Sequence, residues 1–394
     1  MTPRAWIIDP ISYSGLAYYD VGLVAGLLAN GVRAELLGSD RWLLSSRHDL
    51  AVPLRPVFRC TSAGGRVRRG VNYLRSLLAL LAMALRERPA IAHWQYLQLL
   101  PADLLTVLVL RALSIPTVYT AHETVPWRVR SPVARILLGI LYRSVDRIIV
   151  HNESDRFELA GAFGIDPKKI VVIRHGDFSL IAAPDMDQQE ARAKLGLPNH
   201  SALALFFGTL RSSKGVDVLV RAWPQVVESL PTAHLVVAGQ PDRDLAPGVL
   251  LSLQRLAQGP STRGTVTVRL EQVPDADVNA YYRAADVVVL PYHGITTSGV
   301  LRYAYSSARP VVATSVGEHN TWVIPGVTGA LVPPGNADAL AVALVQLLAN
   351  RAYCAALGAR ALEFGRTHFD WGPIAAKTAA LYRELLPTRQ RWPR

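Results

Sequence analysis

The sequence predicts an α/β protein of two Rossmann-like domains, each a parallel sheet with helices on both faces. Three observations carry this. Short apolar runs alternate with stretches of helical periodicity along nearly the whole chain, the pattern of strands buried on both sides. The alternation occurs twice, on either side of a polar, proline-containing stretch, Ile181–Gln189, which suits an interdomain linker. At 394 residues, half of them hydrophobic, the chain is long enough for two sizeable cores. Two such halves leave a cleft, a common place for a ligand.

In the first half, Ala5–Asp9 reads as a strand, Leu16–Asn30 as a helix stopped at Gly31, and Val32–Leu37 as the next strand. The loop Pro10–Gly15 brings Gly15 to the helix start but is not GxGxxG, so a dinucleotide fingerprint is absent. Free N–H groups there suit an anion or a plain turn equally. A helix about Val71–Leu85 leads to strand Ile91–Trp94, Ala102–Leu113 to Thr117–Thr120, Pro132–Ser144 to Arg147–His151, and Glu153–Phe163 to Ile170–Ile173. His93, His122 and His151 fall at or just beyond strand ends, where such sheets bind ligands. His122, in TVYTAHETVPW with Glu123 beside it, is placed to bind a substrate hydroxyl or move a proton. The plain alternative, a histidine satisfied by backbone, suits His93 and His151.

The second half is organised around Ala202–Trp223, ALALFFGTLRSSKGVDVLVRAW. A buried strand, Leu203–Phe207, ends at Gly208, where the backbone turns and a ligand can approach closely. Arg211 and Lys214 follow in the turn or the first turn of a helix whose apolar face includes Val216, Leu219 and Trp223. Cations there oppose the helix dipole, and a diphosphate between them explains the placement: arginine gives a planar fork, lysine a point charge. An ordinary solvated turn is the alternative. Further strands lie near His234, Thr265, Asp286 and Arg309. After the strand ending at Pro291, Ser298 caps a helix running to about Ser307. Thr296, Thr297, Ser298 and the N–H groups of Gly299 and Val300 form a neutral cradle for an anion, or a simple cap. Ala337–Leu386 reads as three helices, the last opened by Trp371.

The net charge is +12, and residues 1–90 carry 12 Lys and Arg against 6 Asp and Glu, half of that excess. Arg66, Arg68, Arg69 and Arg75 precede the apolar run Ser76–Leu85, followed by Arg86 and Arg88. The run is too short to span a bilayer. It suits a helix with a basic solvent face and a buried apolar face, or a segment lying on an anionic membrane. No nucleic-acid motif accompanies the charge, so nucleic acid is excluded as a partner. Cys60 and Cys354 lack metal-ligand or CxxC spacing, and MTPRAWIIDP lacks a signal peptide's apolar region. Both point to a reducing, cytoplasmic setting, and the basic stretch adds the expectation of a peripheral place on the inner face of the membrane.

At this point the residues resemble a known family. FFGTLRSSKGVDVLVRAW, ARPVVATSVGEHNTWVIPGVTGALVPPGNADALAVAL, HNESDRFELAGAFGIDPKKIVVIRHGDFS and SGLAYYDVGLVAGLLANGVRAELL are similar to segments of the GT-B-fold retaining, nucleotide-sugar-dependent glycosyltransferases. That group includes sucrose synthase-like and bacterial mannosyl- and glucosyltransferases. The resemblance covers nearly the whole chain. It implies an N-terminal acceptor domain over 1–178, a donor domain over 179–370, and a C-terminal helix over 371–394 crossing back onto the first. It implies that Arg211 and Lys214 hold the donor diphosphate, that Gly208, Thr297, Ser298, Gly299 and Val300 bind phosphate and sugar, that His122 approaches the transferred sugar, and that Gly15 lets the opening loop close. The family usually carries two glutamates eight positions apart around the phosphate helix; by register with Pro310 this chain has Ile295 and Tyr303 there. Glu318, after Ser315-Val316-Gly317, is expected to supply a substrate-binding carboxylate near the site, and TTSGVL resembles the QSGVL-like loops of one subgroup.

The expected activity is hexosyl transfer from a nucleoside diphosphate sugar, UDP-linked or GDP-mannose, to a glycan or lipid-linked saccharide in polysaccharide biosynthesis. No pair of carboxylates with glycosidase logic is evident, and no DxD-like cluster sits at a strand end. No metal and no cofactor beyond the donor are expected. A nucleotide-sugar epimerase of the same fold and a non-catalytic glycosyltransferase-like subunit are the alternatives, with a charge-driven surface-binding protein a third.

Overall fold

The computed structural model describes residues 4–12, 15–44, 50–59, 65–126, 129, 131–182, 186–295, 297–387 and 392, the Arg66 side chain excepted. Cys60, Thr296, part of the loop Pro10–Gly15 and part of the linker Ile181–Gln189 lie outside the described residues. The chain divides into two compact units, Met1–Gly176 with Phe369–Arg394, and Asp177–His368.

The first unit runs β1 (Arg4–Ile8), α1 (Leu16–Ala29), β2 (Arg33–Ser39), β3 (Leu54–Phe58), α2 (Arg66–Glu87), β4 (Ile91–Trp94), α3 (Leu100–Ala112), β5 (Thr117–Thr120), α4 (Pro132–Ser144), β6 (Arg147–Val150), α5 (Glu153–Phe163) and β7 (Ile170–Val172). These strands form one parallel 7-stranded sheet ordered β3-β2-β1-β4-β5-β6-β7. Alternate residues of a strand face opposite sides. Trp6 and Ile8 therefore pack with Leu80, Val107 and Leu141 of α2, α3 and α4, while Ala5 and Ile7 pack with Leu23 and Leu27 of α1.

The second unit runs α6 (Gln188–Leu195), β8 (Ala202–Phe207), α7 (Val216–Ser229), β9 (Ala233–Ala238), α8 (Pro247–Gln258), β10 (Val266–Arg269), α9 (Asp275–Ala284), β11 (Val287–Leu290), α10 (Gly299–Ser306), β12 (Val311–Thr314), α11 (His319–Trp322), β13 (Gly329–Val332), α12 (Ala337–Leu348) and α13 (Arg351–Phe369). Its sheet is parallel and 6-stranded, ordered β10-β9-β8-β11-β12-β13. Strand order reverses between β1 and β4 in one sheet and between β8 and β11 in the other. Crevices at the carboxyl ends of such reversals are the ligand sites of open α/β sheets.

The chain then returns to the first unit as α14 (Trp371–Leu385), which lays Ile374, Ala375 and Tyr382 against the α1 side of the sheet. Trp371 lies in the space left by two glycines. A Cβ at Gly22 would stand 2.0 Å, and one at Gly176 2.2 Å, from the indole.

Both parallel sheets are those the alternation predicts. The differences have local causes. Strand β3 contains Pro56, which has no ladder donor and is tolerated because β3 is an edge strand; β13 is a short edge strand opened by a glycine. Helix α6 begins inside the expected linker because Asp187 and Glu190 form a reciprocal capping box. Helix α2 begins at Arg66 rather than near Val71, and its second apolar line is not buried: Val67, Val71, Leu74 and Leu78 are exposed. The basic stretch is therefore not a helix with all its apolar residues inside. Among the described residues no single helix is long and apolar enough to cross a membrane.

Candidate active site

In the second unit, β8 ends at Gly208, whose φ of +98° favours glycine. Arg211 and a short 3-10 turn, Ser212–Lys214, lead into α7. Gly215 has φ +66°, and a Cβ on it would meet the Pro291 carbonyl oxygen at 1.8 Å. Only glycine lets this turn rest against the end of β11. His293 N–H donates to the Ser213 carbonyl at 2.8 Å and ties the two turns together. Arg211 and Lys214 thus occupy the loop at the β8/β11 reversal, not the helix itself.

Lys214 folds back over Gly208. A Cβ on Gly208 would be 3.0 Å from Lys214 Nζ and 3.8 Å from Val300 Cγ2, so the ammonium lies near the first turn of α10. It also stands 5.7 Å from the Tyr292 ring centroid. Arg211 is ion-paired to Asp242 at 3.1 Å, but among the described residues no carboxylate pairs with Lys214. Burial, and then the Arg211 charge, push the Lys214 ammonium down to about 8. A partly desolvated cation beside another cation is stabilised by an incoming anion.

At α10, Ser298 is largely engaged. Its Oγ accepts Leu301 N–H at 3.2 Å, while its own N–H donates to Glu318 Oε1. Glu318 receives the Arg302 guanidinium on both oxygens at 2.8 Å, and both residues are buried. Expected as a carboxylate for a ligand, Glu318 instead clamps the start of α10 from within. The N–H groups of Gly299 and Val300 have no partner among the described residues, and Thr297 Oγ1 is buried without one. These three donors are what α10 leaves open. Of the positions where the family has glutamates, Tyr303 is buried and stacked on Tyr282 with ring centroids 4.2 Å apart. The Ile295 carbonyl packs against Gly317.

In the first unit, Gly15 caps α1 with ordinary helical backbone, and a Cβ there would meet no described atom within 4 Å. Nothing in the described geometry requires glycine there. The histidines join one network along the carboxyl ends of β4, β5 and β6. Tyr382 Oη is 2.6 Å from His93 Nδ1, and His93 Nε2 is 2.6 Å from Thr120 Oγ1. Gln95 bridges His93, at 3.3 Å, and His122, at 3.1 Å. His122 Nδ1 is 3.1 Å from His151 Nε2, and His151 Nδ1 is 3.0 Å from the Ile173 carbonyl. Both ring nitrogens of His122 therefore have protein partners. Burial, with His151 and His93 adding, holds His122 well below the usual histidine range.

Sequence reasoning missed several groups here. Gln95 carries no motif. Asp9, just past β1, and Asp20, in α1, are buried, and Asp9 Oδ2 and both Asp20 carboxylate oxygens have no hydrogen-bond partner among the described residues; burial raises Asp9 to about 6 and Asp20 well above its usual value. The signal available was two aspartates in otherwise apolar stretches.

Residues 201–350 match the family described as Glycosyl transferases group 1, and residues 13–176 match Glycosyltransferase Family 4. A D-inositol 3-phosphate glycosyltransferase of Kribbella flavida is 30% identical over 292 residues, covering 70% of this chain and 67% of the relative. A protein of the same name from Kineococcus radiotolerans is 33% identical over 261 residues; the match covers 62% of this chain and spans 59% of the relative's length. Among solved structures, sucrose-phosphate synthase of Thermosynechococcus elongatus superposes with a TM-score of 0.72 at 22% identity, over 97% of this chain and 99% of that one. HepE of Anabaena, in complex with UDP and glucose, gives 0.75 at 18% identity, over 96% and 99%. The structural likenesses show the fold, and the sequence matches carry the conclusion: the chain belongs to the GT-B glycosyltransferase family.

Proposed function

We propose that this chain moves a hexosyl group from a UDP-sugar to a hydroxyl of a glycan or glycolipid, with retention and without a metal ion. The observation that carries the reading is Lys214: a half-buried ammonium with no carboxylate partner among the described residues, held beside Gly208 and the first turn of α10. As the glycosidic C–O bond breaks, negative charge grows on the leaving diphosphate. Lys214, Arg211 and the open donors of Thr297, Gly299 and Val300 are fixed before the reaction, and so favour the transition state over the ground state. Ser298 and Glu318 hold that turn in place. In the first unit, Gly15 is assigned to loop closure and His122 to a hydroxyl of the transferred sugar. The UDP preference is supported by HepE, solved with UDP-glucose. The inositol phosphate in the relatives' name adds a phosphorylated polyol to the acceptors to be tried.

A thermal-shift panel of UDP-, GDP- and ADP-sugars tests the donor. At a ligand concentration about a hundredfold above Kd, binding adds ~2.7 kcal/mol, a rise of roughly 5–10 °C for a domain of this size. A UDP-sugar is expected to give it, and UDP release with an acceptor to follow. Interconverted nucleotide sugar favours an epimerase; no shift with any donor favours a non-catalytic subunit.

The partner proposed for the first unit is an anionic membrane. Helices α2, α3 and α4 lie on one side of the sheet, and Val67, Leu78, Leu105, Val133 and Ile136 on them are 62–82% exposed. Arg59, Arg68 and Arg75 line a groove of about 710 Å³ beside this face. Apolar side chains framed by arginines match an acyl and headgroup boundary, each arginine contributing ~1 kcal/mol near anionic lipid. The chain is expected to sediment with phosphatidylglycerol vesicles at low salt and to leave as salt rises; R68E/R75E is expected to remain in the supernatant. Equal sedimentation of that variant and wild type would remove this face from the account.

A further inference from the structure

The histidine network has a direction, and one backbone atom sets it. The Ile173 carbonyl can only accept, so His151 Nδ1, 3.0 Å away, carries hydrogen. A neutral imidazole has one N–H; His151 Nε2 is then bare and accepts from His122 Nδ1 at 3.1 Å. That leaves His122 Nε2 bare, facing the Gln95 side-chain amide at 3.1 Å. The two ends of an amide are assigned by their partners, and this partner requires the NH2 end. As placed, the amide has its oxygen toward His122 Nε2 and its nitrogen toward His93 Nε2; turned end for end, its oxygen meets His93 Nε2, whose N–H is shared with Thr120 Oγ1 at 2.6 Å. His93 Nδ1 accepts from the Tyr382 hydroxyl at 2.6 Å. Every imidazole N–H in that order meets an acceptor. The opposite order needs a second proton on His151 inside a buried cluster where burial already holds His93 down to about 3.

We propose that His151 and Gln95 are positioning residues that hold His122 as the Nδ1–H tautomer, with its Nε2 lone pair kept for a hydroxyl that donates. Gln95 occupies that lone pair until a sugar hydroxyl replaces it. The hydroxyl's identity rests on the transferase reading; the tautomer does not. This is the reverse of the tautomer that neutral histidine side chains favour in water, so it can be read directly.

The test is long-range 1H–15N correlation on the full chain labelled with 15N-histidine, His122 being assigned from the H122N variant. Nδ1–H with a bare Nε2 is expected for His122 and His151 in the wild type. In Gln95→Glu the carboxylate can only accept, so the His122 signature is expected to move to Nε2–H or to the doubly protonated ring. A wild-type His122 that shows Nε2–H overturns the proposal, as does a folded Gln95→Glu variant with an unchanged His122 spectrum. UDP release is measured separately. A chain with the Nδ1–H signature that transfers nothing overturns the transferase reading; one that transfers with His122 as Nε2–H overturns this one.

Discussion

Lys214→Ala is expected to lower turnover by about ten- to a few-hundredfold while the protein melts no lower than wild type. The size follows from a charge-assisted hydrogen bond of roughly 1.5–3 kcal/mol lost from the leaving group, converted at about tenfold per 1.4 kcal/mol. The melting result follows from the ammonium's setting. Burial and Arg211 hold it at about 8, below its ordinary value of 10.5, so the folded chain binds that proton less tightly than the unfolded chain. The charged form therefore costs stability below pH 8, and that cost fades as pH rises from 8 toward 10.5. Deleting the amine removes a destabilising group. The same ionisation predicts that kcat/KM, which reports the free enzyme, falls as pH rises through about 8, and that this limb disappears in Lys214→Ala. Steady-state rates from pH 6.5 to 9.5 on both proteins, with calorimetry, decide it; wild-type turnover in the variant removes the diphosphate role.

Trp371→Ala is expected to cost about 3–5 kcal/mol, the range for deleting a large buried aromatic. The indole is 5% exposed, meets the Tyr19 ring at 5.0 Å and fills the space over Gly22 and Gly176. Two glycines offer no side chain that could swing into the gap, so the cavity persists. In scanning calorimetry the first unit's transition is expected to drop by roughly 6–20 °C while that of the second unit holds. A Tm within a degree of wild type would mean that α14 does not carry the α1 side of that core.

Much of the second unit's site was legible because its punctuation is local. Gly208, Arg211, Lys214, Gly215 and the Ser298 cap lie in two short stretches whose turn and cap chemistry is written in adjacent residues. What was hidden came from partners distant in sequence. Glu318 looks like a free carboxylate until Arg302, one helix earlier, is folded onto it. Gln95 has no motif and reaches His122 only because β4 and β5 are neighbours in the sheet. Pro56 disguised β3, and the exposed line on α2 was masked by the ordinary expectation that an apolar periodicity faces inward.

The return of α14 sets an order of events at the ribosome. Residues 5–176 emerge first, yet the apolar flank of α1 stays uncovered until residues 371–385 have been made. The intervening segment has all its own strands by then and can close before its predecessor does. During that interval the nascent chain exposes Tyr19 and the α1 face around Gly22 and Gly26, the surface on which a chaperone would be expected to settle.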